Sequence, residues 1–197
     1  MNANVTALRS VRSNPGRSID GNQCRICGAE KETLGHVLGS CTRGELIRNH
    51  RHHGIREIIA KALIKKGWKV AQEVHCQAEN GSNNRVDIIA YDDKTKEGFI
   101  LDPTVRIENG ESEEQAVAVD LEKRQIYEPC IKDLVYKFQL KKLEVIGLYV
   151  GARGTITKFF QNFMSRFLLP STITDDILMH ALRGSIKIYN HHINNCN

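Results

Sequence analysis

Four residues of metal-binding type lie within eighteen positions near the start of the chain, with the spacing Cys-x2-Cys-x8-His-x4-Cys. Three thiolates and one imidazole are the donor set that tetrahedral Zn²⁺ prefers. A segment so short and polar cannot bury enough apolar surface to fold alone, so metal binding would supply most of its folding free energy. The spacing predicts a zinc-bound unit at 24–41, and free thiols beside a surface histidine are the alternative. The predicted ligands, called the Cys/His cluster below, are Cys24, Cys27, His36 and Cys41.

The remaining cysteines, Cys76, Cys130 and Cys196, show no comparable grouping, and we expect them to be buried or inert thiols. No apolar stretch approaches the roughly 18 residues of a membrane span, and the N-terminal residues lack the apolar block of a secretory signal. We therefore expect a soluble intracellular chain without a membrane partner, in which reducing conditions favour metal ligation over disulfides. The net charge of +5 permits a nucleic-acid partner without requiring one.

The chain divides into three segments by composition and pattern. Residues 1–23 are polar and have no hydrophobic period, which indicates a flexible arm or linker. The zinc-bound unit fills 24–41, and 42–197 is long enough for one domain with a single core. Helical and strand patterns alternate in that domain, which predicts an α/β or α+β class with helices covering a mixed sheet.

Hydrophobic periodicity predicts the elements in the first half of this domain. Apolar residues recur with helical spacing from Ile55 to Leu63, and Gly67 ends this amphipathic helix. Period-two patterns separated by turn residues then predict three strands of a meander. These strands are expected at Trp68–His75, Arg85–Tyr91 and Gly98–Val105.

The second half begins with a helix and returns to a strand. Ser112 to Gln115 has the form of a capping box with Ser112 as the N-cap, which predicts a helix to about Tyr127. Pro129 indicates a break after it. The remaining predicted elements are a short helix near Ile131–Leu140, a strand at Leu143–Val150, and two helices after Thr155 and Thr174.

Two predicted strands of the meander each carry one aspartate among apolar residues, namely Asp87 and Asp102. An ionised carboxylate on a half-buried strand is costly unless it is paired or binds a cation. Because the strands of a hairpin lie side by side, the two carboxylates can converge on one site. Oxygen ligands favour Mg²⁺ or Mn²⁺, and such an ion can activate a water and offset charge that develops on a phosphodiester. Carboxylates satisfied within the sheet are the alternative.

Phosphodiester hydrolysis commonly also uses a cationic side chain. Many metal nucleases place a lysine two residues after the second acid, where this chain has Thr104. Lys123 is the nearest substitute, since it lies on the next predicted helix and shares a face with Tyr127 at i and i+4. A long lysine stem on a helix that covers the sheet can reach the carboxylates, and a solvated surface lysine is the alternative.

Together these residues resemble the C-terminal region of site-specific non-LTR retrotransposon proteins, which has a CCHC zinc knuckle followed by a restriction-like endonuclease. The Cys/His cluster resembles the knuckle, and Arg51-His52 resembles an Arg-His pair on the following helix of that family. Arg85-Val86-Asp87 resembles its basic residue, proline and first acid, with Val86 in place of the proline. Asp102–Arg106 resembles the Asp-x-Thr-Val-Arg run of the second acid. Lys123, Tyr127, Val150–Gly154 and Ala181–Ser185 are also similar, so the resemblance extends from Cys24 to the C-terminus.

The resemblance implies a PD-(D/E)XK fold, restriction-endonuclease-like, in which Asp87 and Asp102 bind catalytic Mg²⁺ or Mn²⁺. Lys123 would be the catalytic cation, with Tyr127 in the same site. Proteins of this family nick target DNA, and the freed 3′-hydroxyl primes reverse transcription of the element RNA. Target DNA and element RNA are therefore the implied partners, and the nucleus is the implied place of action after synthesis in the cytoplasm. The implied nucleic-acid contacts are Arg51, His52, Arg85 and Arg106.

Several alternatives stay open at this point. The polymerase of that family lies upstream of the knuckle and is absent from this chain, which is a fragment, a decayed copy or a free-standing nuclease. A catalytically inactive zinc-knuckle remnant that binds nucleic acid is the main competing function, and a zinc-stapled protein-interaction domain is another. Glu57 would add a third carboxylate or remain outside the site, and Arg153 would contact DNA or pair with an acid. Pro103 provides no N–H for a ladder, so we expect its strand to be at an edge or bulged there.

Overall fold

The structure is a computed structural model that describes Leu8, 22–28 and 31–194. The predicted arm at 1–23 therefore lies almost entirely outside the described residues, as does Cys196. Short 3-10 turns occur at Thr42–Gly44 and Glu128–Cys130. The helices and strands are α1 (Leu34–Gly39), α2 (Glu45–Lys65), β1 (Lys69–Gln77), β2 (Asn83–Asp92), β3 (Glu97–Arg106), α3 (Ser112–Tyr127), α4 (Ile131–Phe138), β4 (Lys142–Gly151), α5 (Lys158–Arg166) and α6 (Ser171–Asn194).

The four strands form one mixed sheet in the order β1-β2-β3-β4. β1, β2 and β3 are an antiparallel meander, and β4 pairs with β3 in parallel. Parallel neighbours need a long crossover connection, which α3 and α4 supply between β3 and β4. The chain is therefore a mixed α/β protein with a mixed sheet flanked by helices, as the alternating sequence patterns predict.

Helices cover both faces of this sheet because successive strand residues point to opposite sides. Ile88 and Leu101 pack on one face with apolar residues of α2, α5 and α6. Ile89 and Ile100 pack on the other face against Leu134 of α4. Within the described part of the chain, no helix is long and apolar enough to cross a bilayer.

The start of α3 differs from the predicted capping box. Ser112 is the first residue of the helix, and Glu111 is the N-cap. The side chain of Glu111 makes no capping hydrogen bond. Gln115 does not reach back to the cap, because its Nε2 donates to the carbonyl of Ile107 at 2.9 Å. A contact with the segment after β3 therefore replaces the local hydrogen bond that the sequence pattern predicts.

The last helix is also longer than predicted, because α6 begins at Ser171 rather than after Thr174. Its first turn follows Pro170, whose carbonyl accepts from the backbone N–H of Ile173 at 3.0 Å. Proline is well suited to the start of a helix because its φ angle is already close to the helical value. The predicted strands differ from β1–β4 only at their ends, and Trp68 precedes β1.

The segment that contains the Cys/His cluster packs on the rest of the chain. Thr33 caps α1 by accepting from the backbone N–H of His36 at 3.1 Å. Val37 and Leu38 of this helix are buried against Ile188 of α6. The zinc-bound unit predicted from the sequence therefore shares a hydrophobic cluster with the C-terminal helix.

Candidate functional site

A cleft of about 330 Å³ opens beside the sheet where β2 and β3 stop pairing, between α2 and α3. The last pair of the β2–β3 ladder is Ile88 with Leu101, so one further step of the same register places Asp87 opposite Asp102. Both aspartates line the cleft. The hairpin therefore brings together the two carboxylates that the sequence analysis selected.

Pro103 explains why the strands separate at this point. β3 is an interior strand, but Pro103 pairs only with Leu148 of β4, and no described residue of β2 pairs with it. A proline has no N–H to donate to a second neighbour. The prediction of an edge strand is therefore wrong, because β3 lies between β2 and β4; instead the β2–β3 ladder ends at Leu101, before it reaches Pro103.

Asp102 is 3% exposed and is held by three side chains. Tyr127 donates its hydroxyl to Oδ2 at 2.9 Å, and the Nζ of Lys123 lies 3.1 Å from the same oxygen. Thr104 donates its hydroxyl to Oδ1 at 3.0 Å. Hydrogen bonds and a cation offset the cost of burying the charge. A carboxylate has about four acceptor positions, so Asp102 retains capacity for a metal ion.

Tyr127 acts as a permanent hydrogen-bond donor in this arrangement. Burial, followed by the charge of Asp102 and its hydrogen bond, raises the pKa of Tyr127 far above its usual range. Its hydroxyl also lies 3.2 Å from the backbone carbonyl of Arg85. The phenol therefore stays protonated at neutral pH and orients the Asp102 carboxylate.

Asp87 contacts α2 instead of α3. The Nε2 of His52 lies 3.2 Å from both carboxylate oxygens of Asp87. Neither β1 nor β3 has a described residue that pairs with Asp87 in its ladder. The family resemblance implies a DNA contact for His52, whereas its imidazole contacts the candidate metal ligand Asp87 in the structure.

Glu73 is a residue beside the site that the sequence reasoning missed. It lies across from Asp87 in β1 without pairing with it, because the ladder skips both residues, and it has a left-handed φ of 53°. Such a conformation costs a residue with a side chain roughly 1–2 kcal/mol. Glu73 forms ion pairs with Arg56 and, at 2.7 Å, with the Nε of Arg85. In the sequence Glu73 has the period of an ordinary solvated strand residue, so no local signal marks it.

Arg51 is buried in the wall of the cleft at 4% exposure. It donates from Nη1 to the hydroxyl of Ser185 at 2.8 Å and from Nη2 to the carbonyl of Leu38 at 3.2 Å. Its Nε has no hydrogen-bond partner among the described residues. Burial and the neighbouring charge of Arg48 lower the pKa of Arg51 to about 10, which leaves the side chain charged at neutral pH. Contact of Arg51 with nucleic acid stays a prediction.

The other predicted contact residues have acidic partners. The half-exposed Arg106 pairs with Glu122 at 2.7 Å. Arg153 pairs with Glu108, whose carboxylate also accepts from the backbone N–H of Arg153 at 3.0 Å. Both arginines therefore have acidic partners within the chain, and their contact with nucleic acid stays a prediction.

Glu57 does not belong to the residues that line the cleft. It accepts a hydrogen bond from Gln72 at 3.1 Å and pairs with Lys61 at 3.3 Å.

Cys76 and Cys130 are buried free thiols, as expected.

The Cys/His cluster forms a second candidate site. One potential ligand atom from each of its four residues lies within 4.8 Å of all the others. The Sγ atoms of Cys24 and Cys41 are 3.8 Å apart, and two thiolates at 2.3 Å from a tetrahedral zinc ion would be about 3.8 Å apart. The Nδ1 of His36 lies 3.1 Å from the hydroxyl of Ser40, which leaves Nε2, 3.3 Å from the Sγ of Cys27, for a metal. The residues present fit a zinc ion.

Two further buried groups lie beside this cluster, and the sequence analysis missed both. The Nδ1 of His192, on α6, lies 3.7 Å from the Sγ of Cys41. Its Nε2 lies 3.4 Å from a carboxylate oxygen of Glu32. His192 is distant from the cluster in the chain, and no spacing rule connects it to the motif.

Two known proteins have sequences similar to this chain. No protein-family model matches it. It is 24% identical over 192 residues to the "Retrovirus-related Pol polyprotein from type-1 retrotransposable element R2" of Popillia japonica, and the match covers 96% of this chain. A protein of the same description from Nasonia vitripennis is 38% identical over 91 residues, which is 46% of this chain and 8% of that protein. The chain spans 38% of the length of the Popillia relative. Its homologues are R2 retrotransposon Pol polyproteins.

Proposed function

We propose that this chain is a metal-dependent DNA endonuclease domain of a non-LTR retrotransposon, built on a restriction-endonuclease-like PD-(D/E)XK core. The observation that carries the proposal is that Asp87 and Asp102 line one cleft, with the ammonium of Lys123 beside Asp102. The R2 Pol polyprotein homologues support it. In this proposal the domain nicks target DNA in the nucleus, and the new 3′-hydroxyl primes reverse transcription of the element RNA.

Asp87 and Asp102 would hold the catalytic ion. Carboxylates suit Mg²⁺ and Mn²⁺, which bind through one or two protein carboxylates and keep several waters. When bound, the ion would supply positive charge at the phosphodiester and make a bound water more acidic. Tyr127 and Thr104 orient Asp102 through the hydrogen bonds described above. Rigid ligands of this kind keep the reacting groups in place.

Lys123 would stabilise the charge that develops on the phosphate during the reaction. Its side chain is 15% exposed, and it lies on the wall of the cleft. A fixed cation in a partly dry site acts more strongly on a nearby phosphate than it would in water. Lys123 would therefore act in the transition state more than in substrate binding.

The α2 side of the cleft would bind the DNA backbone. Arg48, Arg51 and His52 line this wall, and Arg51 stays charged at neutral pH. Contacts between such cations and phosphates supply affinity and position without reading the base sequence. The Cys/His cluster would bind a structural zinc ion and stabilise the adjoining segment.

A plasmid-nicking experiment tests the proposal. The purified zinc-loaded chain is incubated with supercoiled plasmid and Mg²⁺, Mn²⁺ or Ca²⁺, and we expect nicking with the first two ions. Asp87→Asn and Asp102→Asn should each reduce the rate by at least about 100-fold, since each removes a charged ligand of the ion. Asp176→Asn, at an exposed position of α6, is the matched control. Nicking at the parent rate by either cleft variant, with unchanged zinc content, would refute the site assignment.

One observation favours a second candidate function. Asp87 already contacts His52, and Asp102 already contacts Lys123 and Tyr127, so hydrogen bonds and cations within the chain serve both carboxylates. Carboxylates that are already satisfied within the chain need no metal ion, which favours a catalytically inactive remnant that binds nucleic acid. The zinc-loaded chain would then bind duplex DNA without added Mg²⁺ or Mn²⁺, with a steep salt dependence, and would not nick with any divalent ion. The plasmid-nicking assay therefore distinguishes the two candidate functions.

A further inference from the structure

The C-terminal helix reaches the Cys/His cluster through one buried histidine. His192 is 2% exposed, and its ring lies between Cys41 on one side and Glu32 on the other. Glu32 is fully buried and is held by Arg25, which donates its backbone N–H and its Nε at 2.8 and 2.9 Å. The carboxylate of Glu32, the imidazole of His192 and the thiol of Cys41 are thus consecutive neighbours in a buried network.

Two observations favour a place for His192 behind the metal ligands, although Cys24, Glu32 and His192 also lie close enough together to hold an ion. The Cys/His cluster already offers the four donors of a tetrahedral site. The Nδ1 of His192 faces the Sγ of Cys41 at 3.7 Å, whereas its Nε2 lies nearer to a carboxylate oxygen of Glu32, at 3.4 Å, than to the Sγ of Cys24, at 4.0 Å. Groups that hydrogen-bond to a ligand from behind orient it, and their loss typically lowers metal affinity about 10- to 100-fold. This arrangement suits a histidine that holds the Cys41 thiolate in place.

The same helix also holds a wall of the cleft. Ser185 precedes His192 by two helical turns, so both side chains lie on one face of α6. Ser185 accepts from Arg51 at 2.8 Å, and Leu38, on the same short helix as His36, accepts from Arg51 at 3.2 Å. Arg51 is therefore held from two sides by elements that touch the Cys/His cluster.

We propose that His192 is a positioning residue of the metal centre, and that metal binding holds α6 and α1 against Arg51 in the cleft. The occupancy of the zinc site and the position of Arg51 in the cleft are then coupled. Loss of the metal would release the C-terminal helix and, with it, the hydrogen bonds that place Arg51. The coupling concerns metal retention and backbone protection, so it stands apart from whether the cleft cuts DNA.

Metal retention provides the first test. Zinc-loaded wild-type, His192→Leu and His192→Asn chains are mixed with a chromophoric zinc chelator, and the rate of zinc release is measured. We expect release about 10- to 100-fold faster for His192→Leu, and partial rescue by His192→Asn, whose amide can still donate to Cys41. His191→Leu, on the same helix, should release zinc at the wild-type rate. Wild-type release by His192→Leu would overturn the proposal.

Cobalt substitution separates positioning from direct ligation. With three thiolates and one imidazole retained, Co²⁺-loaded His192→Leu and His192→Asn should show the same thiolate-to-metal and d–d bands as the wild type. A change in coordination number in these bands, or two zinc ions per wild-type chain, would show that His192 is itself a ligand and would overturn the proposal. If the leucine variant does not fold, the asparagine variant decides both measurements.

Hydrogen exchange tests the coupling to the cleft. Removal of zinc, or the substitution His192→Asn, should speed exchange in peptides from the second half of α6 and in the turn of α2 around Arg51. Peptides from β2 and β4 serve as internal controls and should keep their protection. Unchanged exchange around Arg51 after zinc removal would overturn the coupling, whatever the nicking assay gives.

Discussion

The ammonium nitrogen of Lys123 lies 3.1 Å from Oδ2 of Asp102, although one residue belongs to α3 and the other to β3. The close approach depends on Gly147 of β4. A Cβ at Gly147 would lie 2.8 Å from the carbonyl of Val119 and 2.9 Å from the Cγ of Lys123. Because Gly147 has no side chain, α3 can pack directly on β4. The side chain of Lys123 then reaches Asp102 on β3.

Replacement of Lys123 should affect catalysis more than binding. We expect Lys123→Met to lower the rate of nicking about 100- to 1,000-fold, the usual effect of removing one preorganised electrostatic group. Affinity for duplex DNA should change little, because other cations line the cleft. Single-turnover nicking and a binding titration measure the two effects. Lys141→Met, at an exposed position, is the control, and equal losses of rate and affinity in Lys123→Met would contradict the assigned role.

Tyr127→Phe should destabilise the protein by about 1.5–3 kcal/mol, because it removes a hydrogen bond to a buried carboxylate. Burial and Asp102 raise the pKa of Tyr127 above its unfolded value of 10.0, so its contribution is fully present below pH 10.0 and would be lost only as pH rises through the folded pKa. The difference in unfolding free energy should therefore be constant between about pH 6 and 9. Urea titrations measure it. Tyr136→Phe, at 87% exposure, should unfold like the wild type, and a pH-dependent Tyr127→Phe difference in this range would contradict the argument.

Gly147→Ala should cost about 1–3 kcal/mol of stability, because the added methyl meets the backbone of α3. The nearest atoms are the carbonyl of Val119 and the Cα of Asp120, which cannot swing away like the end of a side chain. The same change should slow nicking, since α3 must shift and carry Lys123 with it. Gly39→Ala is the control, because its added Cβ would meet no described atom within 4 Å beyond its chain neighbours and the backbone of its own helix. A stability within about 0.5 kcal/mol of the wild type would contradict the close packing of α3 on β4.

Glu108→Gln should reduce stability in a pH-dependent way. Burial alone would raise the pKa of Glu108, but hydrogen bonds from Arg153 and from backbone groups outweigh it and lower the pKa below 4.5. A carboxylate with a lowered folded pKa contributes stability that is present above the unfolded value and is lost as pH falls through the folded one. We expect a loss of about 1.5–3 kcal/mol at pH 7.

This loss should shrink as the pH falls below 4.5. Urea unfolding of both chains at several pH values measures it, with Glu111→Gln at an exposed position as the control. Both chains contain the Cys/His cluster, so metal release in acid affects them equally. A loss that stays constant through this range would show that Glu108 is not stabilised as a charged group.

The elements that depend on neighbouring residues were predictable. The strand patterns and the turn between β2 and β3 define a hairpin that pairs Asp92 with Glu97, and that register alone places Asp87 opposite Asp102. The Cys/His cluster is local in the same way, because its members lie close in the chain. The capping box at Ser112 fails although it is local, since Gln115 has a better partner in Ile107.

Three residues whose roles depend on distant partners were not predicted, unlike Lys123 and Tyr127, for which the helix face and the family resemblance gave a signal. Glu73 has a left-handed backbone and two arginine partners, yet it has the spacing of a solvated strand residue. Arg51 reads as a surface cation at the start of a helix, but α6 covers it. His192 lies near the end of the chain, where the sequence shows only a polar run.

The order of residues along the chain was enough to specify the sheet hairpin, the two aspartates and the cluster of thiol and imidazole groups, because short-range spacing and turns impose their geometry. Only the packing of helices decided that Lys123 and Tyr127 meet Asp102, that His52 meets Asp87, and that His192 stands behind Cys41. Side chains on separate helices come together through burial of apolar surface across the whole core, and this burial leaves no periodic trace at the polar residues that it brings into contact.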